Sequence, residues 1–234
     1  MRLQVFLSRN GVCSRRKALP IILSGQVKVN GQVVKEPSTE INPEEDTIEF
    51  DGKMIEGKSY SYILLNKPAG YVTTKEDPFA KKTVFELLPL KYQRLVSAGR
   101  LDQDTEGLLL FTNDGDLAFR LTHPKFNIDK IYFVRIKGAL EQRHKTLLEK
   151  GIMLEGKKTI PAKISNIKLV GPRTELLITI HEGRKRQIRL MFAHAGYSVV
   201  YLKRIAQGPL KLGSLPLGQW RELKQKEIEI LKKV

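Results

Sequence analysis

The spacing of apolar residues splits this chain into a short first segment and a longer second one with a different rhythm. Leu3, Phe6 and Leu7 fall on one face of a helix, and Ser14 is placed to cap a second helix ending near Gly25. Pro20 lies inside that second helix and is expected to kink it or displace its start. Val27, Val29 and Val33 then alternate around Asn30-Gly31, a strong hairpin signal. A polar, Gly- and Lys-containing stretch from Gly52 to Ser61 reads as a linker. Beyond it, β-type runs dominate: Tyr60–Leu65, Gly107–Thr112, Ile131–Ile136, Ile160–Leu169, Glu175–Ile180, Ser198–Lys203 and Gln219–Leu223. Helical patterns cover Gly115–Leu121, Leu140–Lys150, Arg184–Ala195 and Gln225–Leu231. Strands and helices alternate too irregularly for a doubly wound sheet. The pattern predicts an α+β protein with one mixed, largely antiparallel sheet over 59–234, preceded by a small domain over 1–58.

Charge sharpens that division. The 234 residues carry 41 Lys+Arg against 25 Asp+Glu, a formal charge of +16. Such an excess implies an anionic partner, most simply a phosphate backbone. From Met1 to Lys35 the chain has Arg2, Arg9, Arg15, Arg16, Lys17, Lys28 and Lys35 and no acidic residue. From Glu36 to Glu56 the balance reverses, with Lys53 the lone base. The first domain is therefore expected to present one phosphate-binding face and one acidic, solvated face.

Some chemistries are disfavoured. A single cysteine, Cys13, excludes an intramolecular disulfide and a Cys-based zinc cluster. His123, His144, His181 and His194 show no metal-ligand spacing, and no Walker-type or dinucleotide loop is present, so neither metal nor cofactor is expected. No apolar run reaches a membrane span and none reads as a signal peptide, so the expected location is the cytoplasm, or an organelle stroma if a transit peptide is missing.

The segment richest in chemistry is GRLDQDTEGLLLFTNDGD, from Gly99 to Asp116. It offers a loop with Arg100, Asp102 and Asp104, a buried strand, and a tight turn. A carboxylate fixed beside an arginine stays ionised, as a nucleophile or base requires. Three other readings stand beside this one. A calcium loop would use Asp102, Asp104 and Glu106, but has Asn113 where a bidentate Glu is needed. A pair of carboxylates for sugar cleavage would join Asp102 to Asp104 or Asp114. A plain acidic turn between strands is the third.

Resemblance narrows the choice. The segment RLQVFLSRNGVCSRRKALPIILSGQVKVNGQVV resembles an S4 RNA-binding domain. GRLDQDTEGLLLFTNDGDLA closely resembles the catalytic motif of RNA pseudouridine synthases of the small-subunit type. YILLNKPAGYVTT, HPKFNIDKIYFVRIKG and TIHEGRKRQIRLMFAHAGYSVVYLKRIAQG resemble further segments of that family, in the same order. The resemblance implies the pseudouridine synthase fold, with Asp102 as catalytic residue, Tyr132 stacked on the target base, and Arg189 paired with Asp102. It also implies Arg100 filling the space the flipped base vacates. Arg184, Lys185 and Arg186 are expected to reach phosphates, as are Arg2, Arg9, Arg15, Arg16, Lys17 and Lys28 of the first domain. The implied partner is ribosomal RNA, more like the large-subunit targets, free or in an assembly particle, acted on by a monomer. A non-enzymatic RNA-binding protein with a degenerate site is the alternative of another class.

Overall fold

Asn30 and Gly31 both adopt left-handed backbone angles, φ 51° and 78°, and close a two-residue turn between β1 (Val27–Val29) and β2 (Gln32–Val33). The Asn30 side chain fastens this turn to the chain opposite, donating to Asp46 Oδ1 (2.8 Å) and accepting from the Thr47 amide (2.9 Å). A computed structural model of the chain describes residues 1–57, 59–75 and 82–234. These form two units, Met1–Tyr60 and Ser61–Val234. Lys58, at the expected domain boundary, lies outside the described residues.

In the first unit, α1 (Leu3–Arg9) and α2 (Arg15–Leu23) pack with a sheet of order β2-β1-β3-β4, where β3 is Ile48–Phe50 and β4 is Lys53–Met54. Leu3, Phe6, Leu7, Ala18, Ile22, Val27, Ile41 and Ile48 make its core. Ser14 caps α2, accepting from the Lys17 amide at 3.3 Å. The helix runs through Pro20 to Leu23, so the expected displacement of its start does not occur. Burial of Ala18 and Ile22 on either side of the proline helps offset the lost backbone bond.

The second unit is built on β5 (Tyr62–Lys67), β6 (Val96–Ser97), β7 (Glu106–Thr112), β8 (Lys130–Lys137), the short hairpin β9 (Met153–Leu154) and β10 (Lys157–Lys158), β11 (Lys163–Val170), β12 (Arg173–Ile180), β13 (Val199–Gln207), β14 (Leu210–Lys211) and β15 (Trp220–Glu222). Among the described residues one mixed sheet runs β11-β12-β8-β13-β7-β5-β15, with β14 beside β13 and β6 beside β7. Its pairs are antiparallel except β13 with β7. The helices are α3 (Gly115–Thr122), α4 (Gln142–Lys150), α5 (Gln187–His194) and α6 (Gln225–Lys232). Burial follows position. β5 is buried at every residue because one core, with Ile63, Leu65, Leu109 and Phe111, lies on one face, and a second, with Tyr62, Leu64, Leu108 and Leu110, lies on the other. β8 alternates, with Tyr132, Val134 and Ile136 inward. Gly107 lets β7 approach β13: a Cβ there would stand 2.2 Å from the Arg204 carbonyl oxygen.

Boundaries shift where local chemistry intervenes. The expected helix Arg184–Ala195 begins only at Gln187, because Arg186 takes a left-handed conformation (φ 53°) that closes the preceding loop. The expected strand from Ile160 begins at Lys163. Glu106 and Gly107 already belong to β7, which removes the calcium-loop reading.

Candidate active site

The loop from Gly99 to Thr105 joins β6 to β7, and the segment after β5 holds it. Lys67, fully buried at the end of β5, shares its ammonium protons among the carbonyl oxygens of Pro68 (3.1 Å), Asp102 (3.0 Å), Gln103 (3.2 Å) and Thr105 (2.8 Å). Burying an unpaired ammonium costs several kcal/mol. Hydrogen bonds to a charged donor return roughly 1.5–3 kcal/mol each, so this site tolerates the charge. Burial still lowers the Lys67 pKa to about 8, against the opposing pull of Asp104, Asp102 and Glu106. Thr73 adds a reciprocal pair, its hydroxyl donating to the Leu101 carbonyl (2.9 Å) and accepting from the Leu101 amide (3.3 Å). The Gly70 amide donates to the Gln103 carbonyl at 2.8 Å. The carboxylate loop is thus fixed by backbone contacts, leaving its side chains for other work.

A cleft opens above this loop. Its walls include Arg100, Asp102, Tyr132, Ile180, Leu202 and the loop Gly183–Arg186. Three residues expected to act together, Asp102, Tyr132 and Arg100, therefore share one cavity. Tyr132 is 7% exposed and projects from the inward face of β8, while Arg100 is exposed at the surface.

Arg189 does not pair with Asp102 as expected. Its Nε lies 3.2 Å from Asp104 Oδ2, its Nη2 donates to the Asp104 carbonyl (2.9 Å) and its Nη1 to the Val199 carbonyl (3.0 Å). Asp104 also accepts from both terminal nitrogens of Arg186, at 3.1–3.2 Å. Asp104 projects outward from the turn, within reach of both arginines, whereas Asp102 faces the cleft. Burial lowers the Arg189 pKa, opposed by Asp104, reinforced by Arg186 and opposed again by Asp102. Asp102 thus lies close enough to Arg189 to feel its charge without an ion pair to it.

The basic loop divides into residues with different duties. Arg184, expected to reach phosphate, is half-buried and its guanidinium makes several bonds within the chain. It donates to Glu182 Oε2 (3.0 Å) and to the carbonyls of Lys157 (2.7 Å) and Lys158 (2.5 Å). Glu182, 6% exposed, anchors the loop by also accepting from the Ile160 amide (3.0 Å) and Gln187 Nε2 (2.8 Å). Lys185 is exposed and makes no ion pair among the described residues. The Arg186–Asp104 pair is 45% exposed on both sides and worth about 0–1 kcal/mol, so a phosphate can compete for Arg186. Asp114 is the N-cap of α3, accepting from Leu117, and receives the Tyr62 hydroxyl at 3.0 Å. It is a structural group, not a second carboxylate for sugar cleavage.

In the first unit Arg2, Arg15, Arg16, Lys17 and Lys28 are exposed. Arg9 is half-buried, with its guanidinium 3.9 Å from the Tyr60 ring centroid. No motif singles out Lys67, Thr73 or Glu182, although YILLNKPAGYVTT marks the segment holding the first two. Among the described residues no group of His, Cys, Asp and Glu is arranged to hold a metal ion.

Residues 61–194 match the family model of RNA pseudouridylate synthase, and residues 1–48 match that of the S4 domain. A protein of Aquifex aeolicus described as an uncharacterized RNA pseudouridine synthase is 44% identical over 97% of this chain and 92% of its own. The ribosomal large subunit pseudouridine synthase B of Bacillus subtilis is 42% identical over 99% of this chain and 95% of its own. A crystal structure of a pseudouridylate synthase superposes with a TM-score of 0.69 at 36% identity, covering 99% of both chains.

Proposed function

This chain belongs to the RNA pseudouridine synthase family, and on that premise we propose that it isomerises specific uridines of large-subunit ribosomal RNA, with Asp102 as the catalytic carboxylate. The observation that carries the residue assignment is the cleft itself. It brings Arg100 and Asp102, from the loop between β6 and β7, around one cavity with Tyr132 from β8.

The reaction breaks the C1′–N1 bond of the target uridine, turns the freed uracil, and joins its C5 to C1′. The proton at C5 leaves, N1 gains one, and the sum of atoms is unchanged. The target nucleotide must first leave its stack, and Arg100 at the cleft rim supplies a planar group for the space left behind. Tyr132 holds the uracil by stacking while the ring is detached, with Ile180 and Leu202 closing the apolar side. Asp102 acts at the sugar, and both routes open to it, attack on C1′ or removal of a sugar proton, need an ionised carboxylate. The carbonyl of Asp102 is tied to Lys67, so the residue is held while its carboxylate stays available.

Arg189 is a positioning residue in this reading. Its contacts to Asp104 and Val199 lock the turn that carries Asp102 against β13. Lys185 and Arg186, with the exposed basic residues of the first unit, supply phosphate contacts. The S4 unit is assigned to RNA capture and residues 61–234 to chemistry. The large-subunit target rests on the Bacillus subtilis relative's named substrate. Mapping pseudouridine in both ribosomal RNAs after incubation with the enzyme tests it, and modification confined to the small-subunit RNA would overturn it.

A further inference from the structure

Beside the catalytic loop, α3 and the turn after it leave an aromatic and cationic cluster at the surface. Phe119 is 45% exposed although it sits on a helix whose other face packs Leu117, Ala118 and Leu121 into the core. The His123 ring lies 4.8 Å from the Phe119 ring, and Phe126 meets it edge-on at 5.8 Å. The Lys125 ammonium stands 5.1 Å from the Phe119 centroid and 4.7 Å from that of Phe126. This arrangement is fixed rather than loose. His123 Nδ1 accepts from the Lys125 amide at 3.3 Å, Asn127 closes the turn in the left-handed region, and Phe126 packs on the second core.

A lone exposed apolar residue calls for no explanation. Three rings with an ammonium over two of them are a different matter, because that pairing is how proteins hold unstacked bases. The surrounding charge agrees. From Leu117 to Ile128 the chain has Arg120 and Lys125 and no acidic residue, and Asp129 beyond is taken by His181 at 2.9 Å. The cluster is also continuous with the catalytic loop: a Cβ on Gly99, the residue before Arg100, would lie 3.3 Å from the Thr122 methyl group.

We propose that Phe119, His123 and Phe126 form a platform that stacks an unpaired nucleotide of the RNA substrate outside the catalytic cleft, with Lys125 at its phosphate. The proposal rests on the RNA reading above. Every base has a π-face, so the platform tolerates sequence and adds affinity, not selection of the target uridine. Stacking of one base is worth about 5- to 150-fold in affinity.

The test uses the full chain and a uridine-free single-stranded RNA of about 12 nucleotides, a length in the range such sites cover. Fluorescence anisotropy is expected to show Phe119→Ser binding about 5-fold or more weakly, with Phe119→Tyr close to wild type. Lys125→Ala is expected to reduce the slope of log affinity against log salt by about 0.7. In tritium-release assays on ribosomal RNA, Phe119→Ser should raise the RNA concentration giving half-maximal rate while the rate at saturation stays unchanged. If Phe119→Ser lowers the unfolding midpoint, Phe119→Leu, which keeps the apolar contact and removes the ring, takes its place. Binding within about two-fold of wild type for the serine or leucine variant overturns the proposal. That is also the outcome expected if the patch docks a protein. Failure of the pseudouridine reading is seen separately, as no tritium release by the wild type.

Discussion

Asp102 lines the cleft without an ion pair among the described residues, while Asp104 carries two arginines and faces outward. The two carboxylates should therefore fail differently. Asp102→Asn is expected to reduce pseudouridine formation by about 10³-fold or more while leaving the unfolding midpoint and RNA affinity near wild type. Asp104→Asn leaves the half-buried Arg189 without its counter-ion, so both turnover and the unfolding midpoint should fall. Arg189→Lys should lose about 10-fold or more in turnover, because a point charge cannot reach Asp104 and Val199 together. Within the basic loop, Arg184→Ala should lower the unfolding midpoint with little change in salt dependence, since its guanidinium is spent on Glu182 and two carbonyls. Lys185→Ala should do the reverse, leaving the midpoint alone and reducing the salt slope by about 0.7–0.9. Thermal melts and binding titrations over a salt series separate the two.

At the level of elements, the loop that carries Asp102 depends on a strand end, and that dependence has a pH signature. Lys67 titrates at about 8 in the folded protein, below its ordinary value near 10.4. The folded state therefore binds fewer protons than the unfolded chain over about pH 8–10.4, and this group's contribution to stability rises with pH across that window. Turnover should move the other way, falling as pH rises through about 8, because the neutral amine holds the loop carbonyls less strongly. Lys130 also titrates at about 8, so the limb must be assigned by substitution. Lys67→Arg should remove the limb or shift it to higher pH, while Lys130→Arg should leave it in place. None of this was legible in the sequence, where NKP reads as the end of a strand, because which carbonyls a lysine meets is decided by tertiary packing. The long strands were legible because burial imposes its own period: alternation in β8 and a continuous apolar run in β7. Two-residue strands such as β6, β9 and β10 leave no period to read. Arg189 was placed near the right loop by resemblance, but its partner was not, since Asp102 and Asp104 are chemically identical and only the course of the turn distinguishes them.

Across the whole molecule, the two units carry separate cores and separate charge patterns. Removing residues 1–60 should leave a folded catalytic unit with a cooperative melt, weaker RNA binding and a shallower salt dependence. Circular dichroism and anisotropy on the truncated chain check this, and an unfolded product would contradict it. No helix among the described residues is long and apolar enough to cross a membrane. Isomerisation of uridine in ribosomal RNA through Asp102 leaves an unambiguous trace, because C5 exchanges its hydrogen for C1′. The measurement is tritium release from ribosomal RNA transcribed with [5-³H]uridine, comparing wild type with Asp102→Asn at matched RNA saturation. Release by the wild type should stop at a small whole number of equivalents per RNA, and the variant should release none above background. Release by Asp102→Asn at a rate near wild type, or none by the wild type from either ribosomal RNA, would contradict it.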